Sequence, residues 1–129
     1  MIALSPLLRT DEAGRVMFWC PGCDEEHVIR VRGGSGPGWG YNGVPDAPTF
    51  TPSVLFRSVR FKGGDEEFDR ILDTYKFPEE RERMLADKRI AWTCHSFVTD
   101  GRIQFLGDCS HALAGQTIPL PPFPEASDA

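Results

Sequence analysis

Ile90-Ala-Trp-Thr-Cys-His-Ser-Phe-Val-Thr-Asp-Gly-Arg-Ile-Gln-Phe-Leu106 holds two runs of strand-forming residues joined at Asp100-Gly101. An Asp-Gly pair between alternating apolar residues is a strong signal for a tight hairpin, because both turn positions then take positive φ. A two-residue turn also sets the register, so that Thr99 faces Arg102, Val98 faces Ile103, His95 faces Leu106 and Cys94 faces Gly107. Side chains alternate along a strand, which puts Cys94, Ser96, Phe105 and Gly107 on one face and His95, Phe97 and Gln104 on the other. Cys109 joins the face of Cys94 if the second strand runs on past Gly107.

A second hairpin precedes it. Arg15-Val-Met-Phe-Trp-Cys20 and His27-Val-Ile-Arg-Val-Arg32 both read as strands, and Cys20-Pro-Gly-Cys23 between them supplies a turn that converges two thiols on one point. A Cys-x-x-Cys knuckle on one hairpin with Cys94 and Cys109 on the other is the layout of a zinc ribbon. The expectation is one Zn2+ held by Cys20, Cys23, Cys94 and Cys109, the metal substituting for core that a small domain lacks. His111 shares the parity of Cys109 and is the alternative fourth ligand, which would leave Cys109 a free thiol; His27 is a weaker substitute. A site with three protein ligands and a bound water is a further arrangement of the same donors.

Between the hairpins, Gly33-Gly-Ser-Gly-Pro-Gly-Trp-Gly40 reads as a loop. It lacks the Gly-Lys-Ser/Thr ending and following helix of a phosphate cradle. Asp46-Ala-Pro-Thr-Phe-Thr-Pro-Ser53 is extended and poor at sheet pairing because of Pro48 and Pro52, and Val54–Phe61 alternates as a strand. Two helices are expected next, as an insertion over about residues 64–89. The first is capped by Asp65 and carries Phe68, Ile71, Leu72 and Tyr75 at helical spacing; the second opens on Pro78. The fold class is therefore mainly β within α+β: zinc-ribbon-like antiparallel hairpins around one metal, in a single domain spanning residues 1–118, with a Pro-rich tail over 119–129.

Composition bounds the function. The chain has 129 residues, 40% of them hydrophobic, with 14 Lys and Arg against 19 Asp and Glu for a net charge of −5. That charge lacks the basic footprint a phosphate backbone demands, so nucleic acid is not an expected partner. No run is long and apolar enough to span a bilayer. The expected setting is the cytoplasm, where four cysteines stay reduced and serve metals or catalysis rather than disulfides.

His95 points away from the metal face, and Ser53, just after the Pro-Thr-Phe-Thr-Pro run, is the hydroxyl to test as its partner in nucleophilic catalysis. An alternative makes Cys109, flanked by Asp108 and His111, the nucleophile with a histidine base, but zinc ligation of Cys109 would forbid it. The candidate catalytic set is Ser53, His95 and His111.

Taken together, Cys20-Pro-Gly-Cys23 with His27, Trp39-Gly-Tyr-Asn-Gly43, Pro48-Thr-Phe-Thr-Pro-Ser53, Cys94-His-Ser-Phe-Val98 and the run from Asp100 through Thr117 resemble a family of small phage and prophage proteins of unknown function, often labelled ammonia monooxygenase. No residues here suit a copper or di-iron oxygen site. The chain is also distantly similar to peptidases encoded beside bacterial ubiquitin-like conjugation genes, which trim or remove the ubiquitin-like protein. That similarity implies Cys20, Cys23 and Cys94 as metal ligands and Ser53 and His95 as catalysts. The function expected on this basis is a zinc-binding hydrolase or peptidase acting on a ubiquitin-like or phage protein tail, which Trp39 and the loop Gly33–Gly43 would help to bind. The alternative is a non-enzymatic zinc-ribbon adaptor for a phage or host protein, docking through its acidic helices.

Overall fold

The computed structural model describes residues 1–32 and 38–124. Four strands, β1 (Ile2–Ala3), β2 (Leu8–Thr10), β3 (Arg15–Cys20) and β4 (Glu25–Arg30), form one antiparallel sheet in chain order. β5 (Gly40–Tyr41), β6 (Phe50–Phe61), β7 (Arg89–Thr99), β8 (Arg102–Phe105) and β9 (Thr117–Pro119) form the other, again in chain order. Helices α1 (Gly64–Thr74) and α2 (Pro78–Ala86) lie between β6 and β7. The mainly β, α+β class expected from the sequence is the one observed. No helix among the described residues is long and apolar enough to cross a membrane.

Contacts divide the chain into two units, Met1–Phe56 with Cys94–Ala129, and Arg57–Thr93. In the first, the two sheets share one core. Phe18 of β3 stacks on Phe50 of β6 at 6.1 Å, and Phe50 stacks on Tyr41 at 5.3 Å. Leu8, Ile29, Val54, Val98, Ile103 and Phe105 complete this interior, all fully buried. Burying such side chains is worth roughly 1.5–3 kcal/mol each, which is why the alternating strands settle face to face. The Asp100-Gly101 turn has φ of 49° and 77°, the doubly positive pair that a tight hairpin requires, and the register Thr99↔Arg102, Val98↔Ile103 follows from it.

The back of the four-stranded sheet is also covered. Phe123 packs edge-on against Trp19 at 5.9 Å, lies under the Arg9 guanidinium at 4.9 Å, and donates its N–H to the Pro6 carbonyl at 2.8 Å. The Pro-rich segment is thus docked as far as Pro124; residues 125–129 lie outside the described residues. Pairing starts earlier in β6 than the prolines led us to expect, because Phe50 and Thr51 pair with Tyr41 and Gly40 before Pro52, which has no N–H to give.

In the second unit, Ile71 and Leu85 are buried, Phe61 packs on Phe68 at 4.8 Å, and Arg60 covers the Trp92 ring at 4.5 Å. Arg81 donates from Nε to the Tyr75 carbonyl and from Nη2 to the Leu72 carbonyl, satisfying acceptors at the negative end of α1. Pro78 opens α2 as expected. Asp65 does not cap α1: the cap is Gly63, at φ 85°, and Asp65 sits inside an acidic first turn with Glu66 and Glu67. The left-handed backbone that lets the chain leave β6 needs glycine at that position.

Candidate active site and metal centre

β6 and β7 are neighbours in the five-stranded sheet, and their outer faces bring Ser53 and His95 together. Ser53 Oγ lies 2.9 Å from His95 Nε2, and His95 Nδ1 lies 3.2 Å from Asp108 Oδ2. The His95 side chain is 25% exposed and that of Asp108 56%. With the imidazole proton on Nδ1, Asp108 accepts it and Nε2 is free to accept from the Ser53 hydroxyl. That is the order of groups that activates a serine. Ser53 follows a cis Thr51–Pro52 peptide bond, and its carbonyl accepts a hydrogen bond from the Trp39 indole Nε1 at 3.1 Å.

Cys94 precedes His95 and points the other way, into the interior. Among the described residues one donor atom each from Cys20, Cys23, Cys94 and His111 lie within 4.8 Å of one another, and all four residues are buried. Cys20 Sγ and Cys94 Sγ are 3.8 Å apart. A tetrahedron with Zn–S arms of about 2.3 Å has edges of about 3.8 Å, so the spacing fits a divalent ion of that size. The knuckle is shaped for it. The Cys23 N–H approaches Cys20 Sγ at 3.4 Å, Asp24 takes φ 55° and donates its N–H to the Cys20 carbonyl at 2.9 Å. A Cβ on Gly22 would fall 2.3 Å from the His111 ring, so only glycine lets that imidazole lie against the turn. Phe105, edge-on at 4.5 Å, and the Leu113 N–H, 3.3 Å from Nδ1, hold the ring from other sides.

No disulfide joins any of the four cysteines. Hydrogen bonding with Cys23, with burial adding to it and Cys94 partly offsetting it, pushes the Cys20 thiol up to about 12. The Cys94 thiol is raised as well, by its hydrogen bonds with Cys20 and Cys23 and by burial. Thiols so crowded hold their protons until a cation is there to take the charge, and a bound divalent metal is the partner that makes thiolates stable in such a place.

The structure brings together only part of the expected ligand set. Cys20, Cys23 and Cys94 converge, and the fourth donor beside them comes from His111, not from Cys109. β8 ends at Phe105, and the chain turns, with the Cys109 N–H on the Leu106 carbonyl at 3.2 Å, instead of continuing as a strand past Gly107. That turn carries Cys109 to the backbone of His95 and swings His111 into the cysteines. The zinc-ribbon layout, one cysteine pair per hairpin, is therefore replaced by a knuckle, a mid-strand cysteine and a loop histidine. His111, expected among the catalytic residues, is 7% exposed and stands with the thiols. His27 is outside the group: it stacks on Phe56 at 3.9 Å and meets the edge of Phe18 at 5.6 Å.

In the sequence Asp108 reads only as a neighbour of Cys109. The available signal was the register, which sets Leu106 opposite His95 and so returns the next residues to that imidazole. Of the loop expected to aid binding, residues 33–37 lie outside the described residues, and Trp39 is engaged in holding Ser53.

A family model described as bacterial ubiquitination-like system serine protease (BubE) matches residues 4–106. The matched span takes in Cys20, Cys23, Ser53, Cys94 and His95 and ends before Asp108 and His111. No curated protein and no solved structure matches the chain.

Proposed function

Since the chain belongs to the bacterial ubiquitination-like system serine protease family, we propose that it is a serine hydrolase that cleaves a peptide bond at the C-terminal tail of a ubiquitin-like protein. The observation that carries this reading is the hydrogen-bonded series Ser53, His95, Asp108. Ser53 Oγ attacks the substrate carbonyl while its proton passes to His95 Nε2. The imidazolium so formed is stabilised by the Asp108 carboxylate at Nδ1. His95 then gives the proton to the departing amine, leaving an acyl group on Ser53. A water, deprotonated by the same nitrogen, releases it and restores the hydroxyl. General base catalysis of this kind contributes about 10²- to 10⁴-fold.

Cys20, Cys23, Cys94 and His111 would hold one Zn2+, and a closed four-ligand zinc supplies cross-linking of the fold rather than an activated water. These donors lie on the opposite face of β7 from Ser53 and His95, so the chemistry is assigned to Ser53 and a metal there would serve structure. A protein substrate suits the exposed position of the site on a sheet face. The reducing cytoplasm is the setting in which these thiols would stay available.

The test uses metal-loaded protein and a fluorophosphonate probe, with the modified residue found by peptide mass spectrometry. Labelling at Ser53, abolished in Ser53→Ala and His95→Ala chains of unchanged melting temperature, is the expected result. It should be accompanied by trimming of a ubiquitin-like protein that carries a C-terminal extension. Labelling elsewhere, or none in a folded wild-type chain, would overturn the reading.

A further inference from the structure

Cys109 is the one cysteine that the thiol cluster leaves out, and its sulfur is engaged elsewhere. The His95 N–H donates to Cys109 Sγ at 3.2 Å, and the Cys109 S–H donates to the His95 carbonyl at 3.2 Å. That carbonyl also accepts the Leu106 N–H at 2.9 Å. In a continuing antiparallel ladder, the residue opposite His95 would both donate to its carbonyl and accept its N–H. Leu106 does the first. The second role falls to a side chain, because the strand has ended and the backbone has turned away.

We propose that Cys109 is a positioning residue for the His95 base: its thiol takes the place of the missing ladder partner and fixes the backbone from which the imidazole projects. The substitution has a use. It lets the chain leave the sheet after Phe105, so that Asp108 reaches His95 Nδ1 and His111 reaches the cysteines, without orphaning a partly buried backbone N–H. Both ring nitrogens of His95 are already engaged by Ser53 and Asp108, and the Cys109 thiol hydrogen-bonds to the His95 main chain. The thiol is therefore assigned to holding the base and not to attacking substrate. Misplacing a catalytic group by about 1 Å costs on the order of 100-fold, which sets the scale of what such a clamp protects.

This inference rests on the serine hydrolase reading, and its test is chosen to be separable from it. Three metal-loaded chains are compared: wild type, Cys109→Val, which fills the space with an apolar side chain and makes neither hydrogen bond, and Cys109→Ser, which keeps a donor and an acceptor. In the Val chain kcat should fall roughly 10- to 100-fold with KM within about twofold, and the Ser chain should recover part of the loss. All three should bind the same amount of metal.

Independently of activity, amide hydrogen exchange followed by NMR should show the His95 N–H slow in wild type and in Ser, and at least tenfold faster in Val. A wild-type kcat in the Val chain, metal lost on removing the Cys109 sulfur, or a fast-exchanging His95 amide in the wild-type protein would each overturn the proposal. The wild-type exchange reading stands even if the Val chain fails to fold. Absence of Ser53 labelling in wild type would instead sink the hydrolase reading and leave the exchange measurement intact.

Discussion

Asp108 is more than half exposed, whereas the carboxylate that orients a serine protease histidine is ordinarily buried. Water competes with it for His95 Nδ1, so Asp108→Asn should lower kcat by about 10- to 100-fold, short of the roughly 10⁴-fold loss for a buried carboxylate. Steady-state kinetics on the trimming reaction measures this, and a loss of about 10⁴-fold would show that substrate closes over the carboxylate. Gly22→Ala tests the other site. The added methyl would press on the buried His111 ring at 2.3 Å. Zinc affinity should weaken by about 10- to 100-fold, read by competition with a chromophoric chelator, while Ser53 remains untouched. The residues legible in the sequence are those on regular elements. Strand parity separates Cys94 from His95, and the proline run marks Ser53. Asp108 and His111 were harder, because they occupy an irregular turn whose path no periodicity announces.

One short segment, Leu106 to His111, carries the carboxylate that meets His95 Nδ1, the thiol hydrogen-bonded to the His95 backbone and the imidazole that stands with the three buried thiols. Its sequence reads as the end of a strand, and parity extended along it assigned Cys109 to the cluster. The geometry differs in that the chain turns after Phe105, the Cys109 N–H donating to the Leu106 carbonyl, and brings His111 rather than Cys109 to the three buried thiols. α1 shows a comparable local effect. Glu67 accepts from Arg70 and pairs with Lys88 at 3.4 Å, and these contacts, Arg70 first, lower its carboxyl from 4.5 to about 2. A carboxyl depressed in the folded state stabilises that state above its unfolded value, and the contribution is lost as pH falls toward the folded one. Removing it by Glu67→Gln should therefore lower the melting temperature at pH 7. The difference between the two chains should shrink between about pH 4.5 and pH 2, as followed by circular dichroism. A gap that persists at pH 2 would contradict the assignment. The pairs are solvent-exposed, so the effect is expected to be small.

For the whole molecule, a metal ion held by Cys20, Cys23, Cys94 and His111 would tie together the β3–β4 turn, the middle of β7 and the loop after β8. A ligand held only by the folded state stabilises it by about 2.7 kcal/mol at a hundred times its dissociation constant. Chelation should then lower the melting temperature by roughly 10 °C, and zinc should restore it. X-ray absorption at the metal edge should count three sulfur neighbours and one nitrogen; four sulfurs would reinstate Cys109. The hairpins and helices could be read from turn residues and spacing, but the face-to-face meeting of Phe18 with Phe50 could not, since it joins positions far apart in the chain. Cys94 and His95, successive residues on opposite faces of β7, carry a last consequence. Deleting or adding one residue between them and the Asp100-Gly101 turn would put the strand out of phase, turning the imidazole inward and the thiol to solvent. Spacing here is under the same constraint as identity, and the roles proposed for both residues would be lost in a single step.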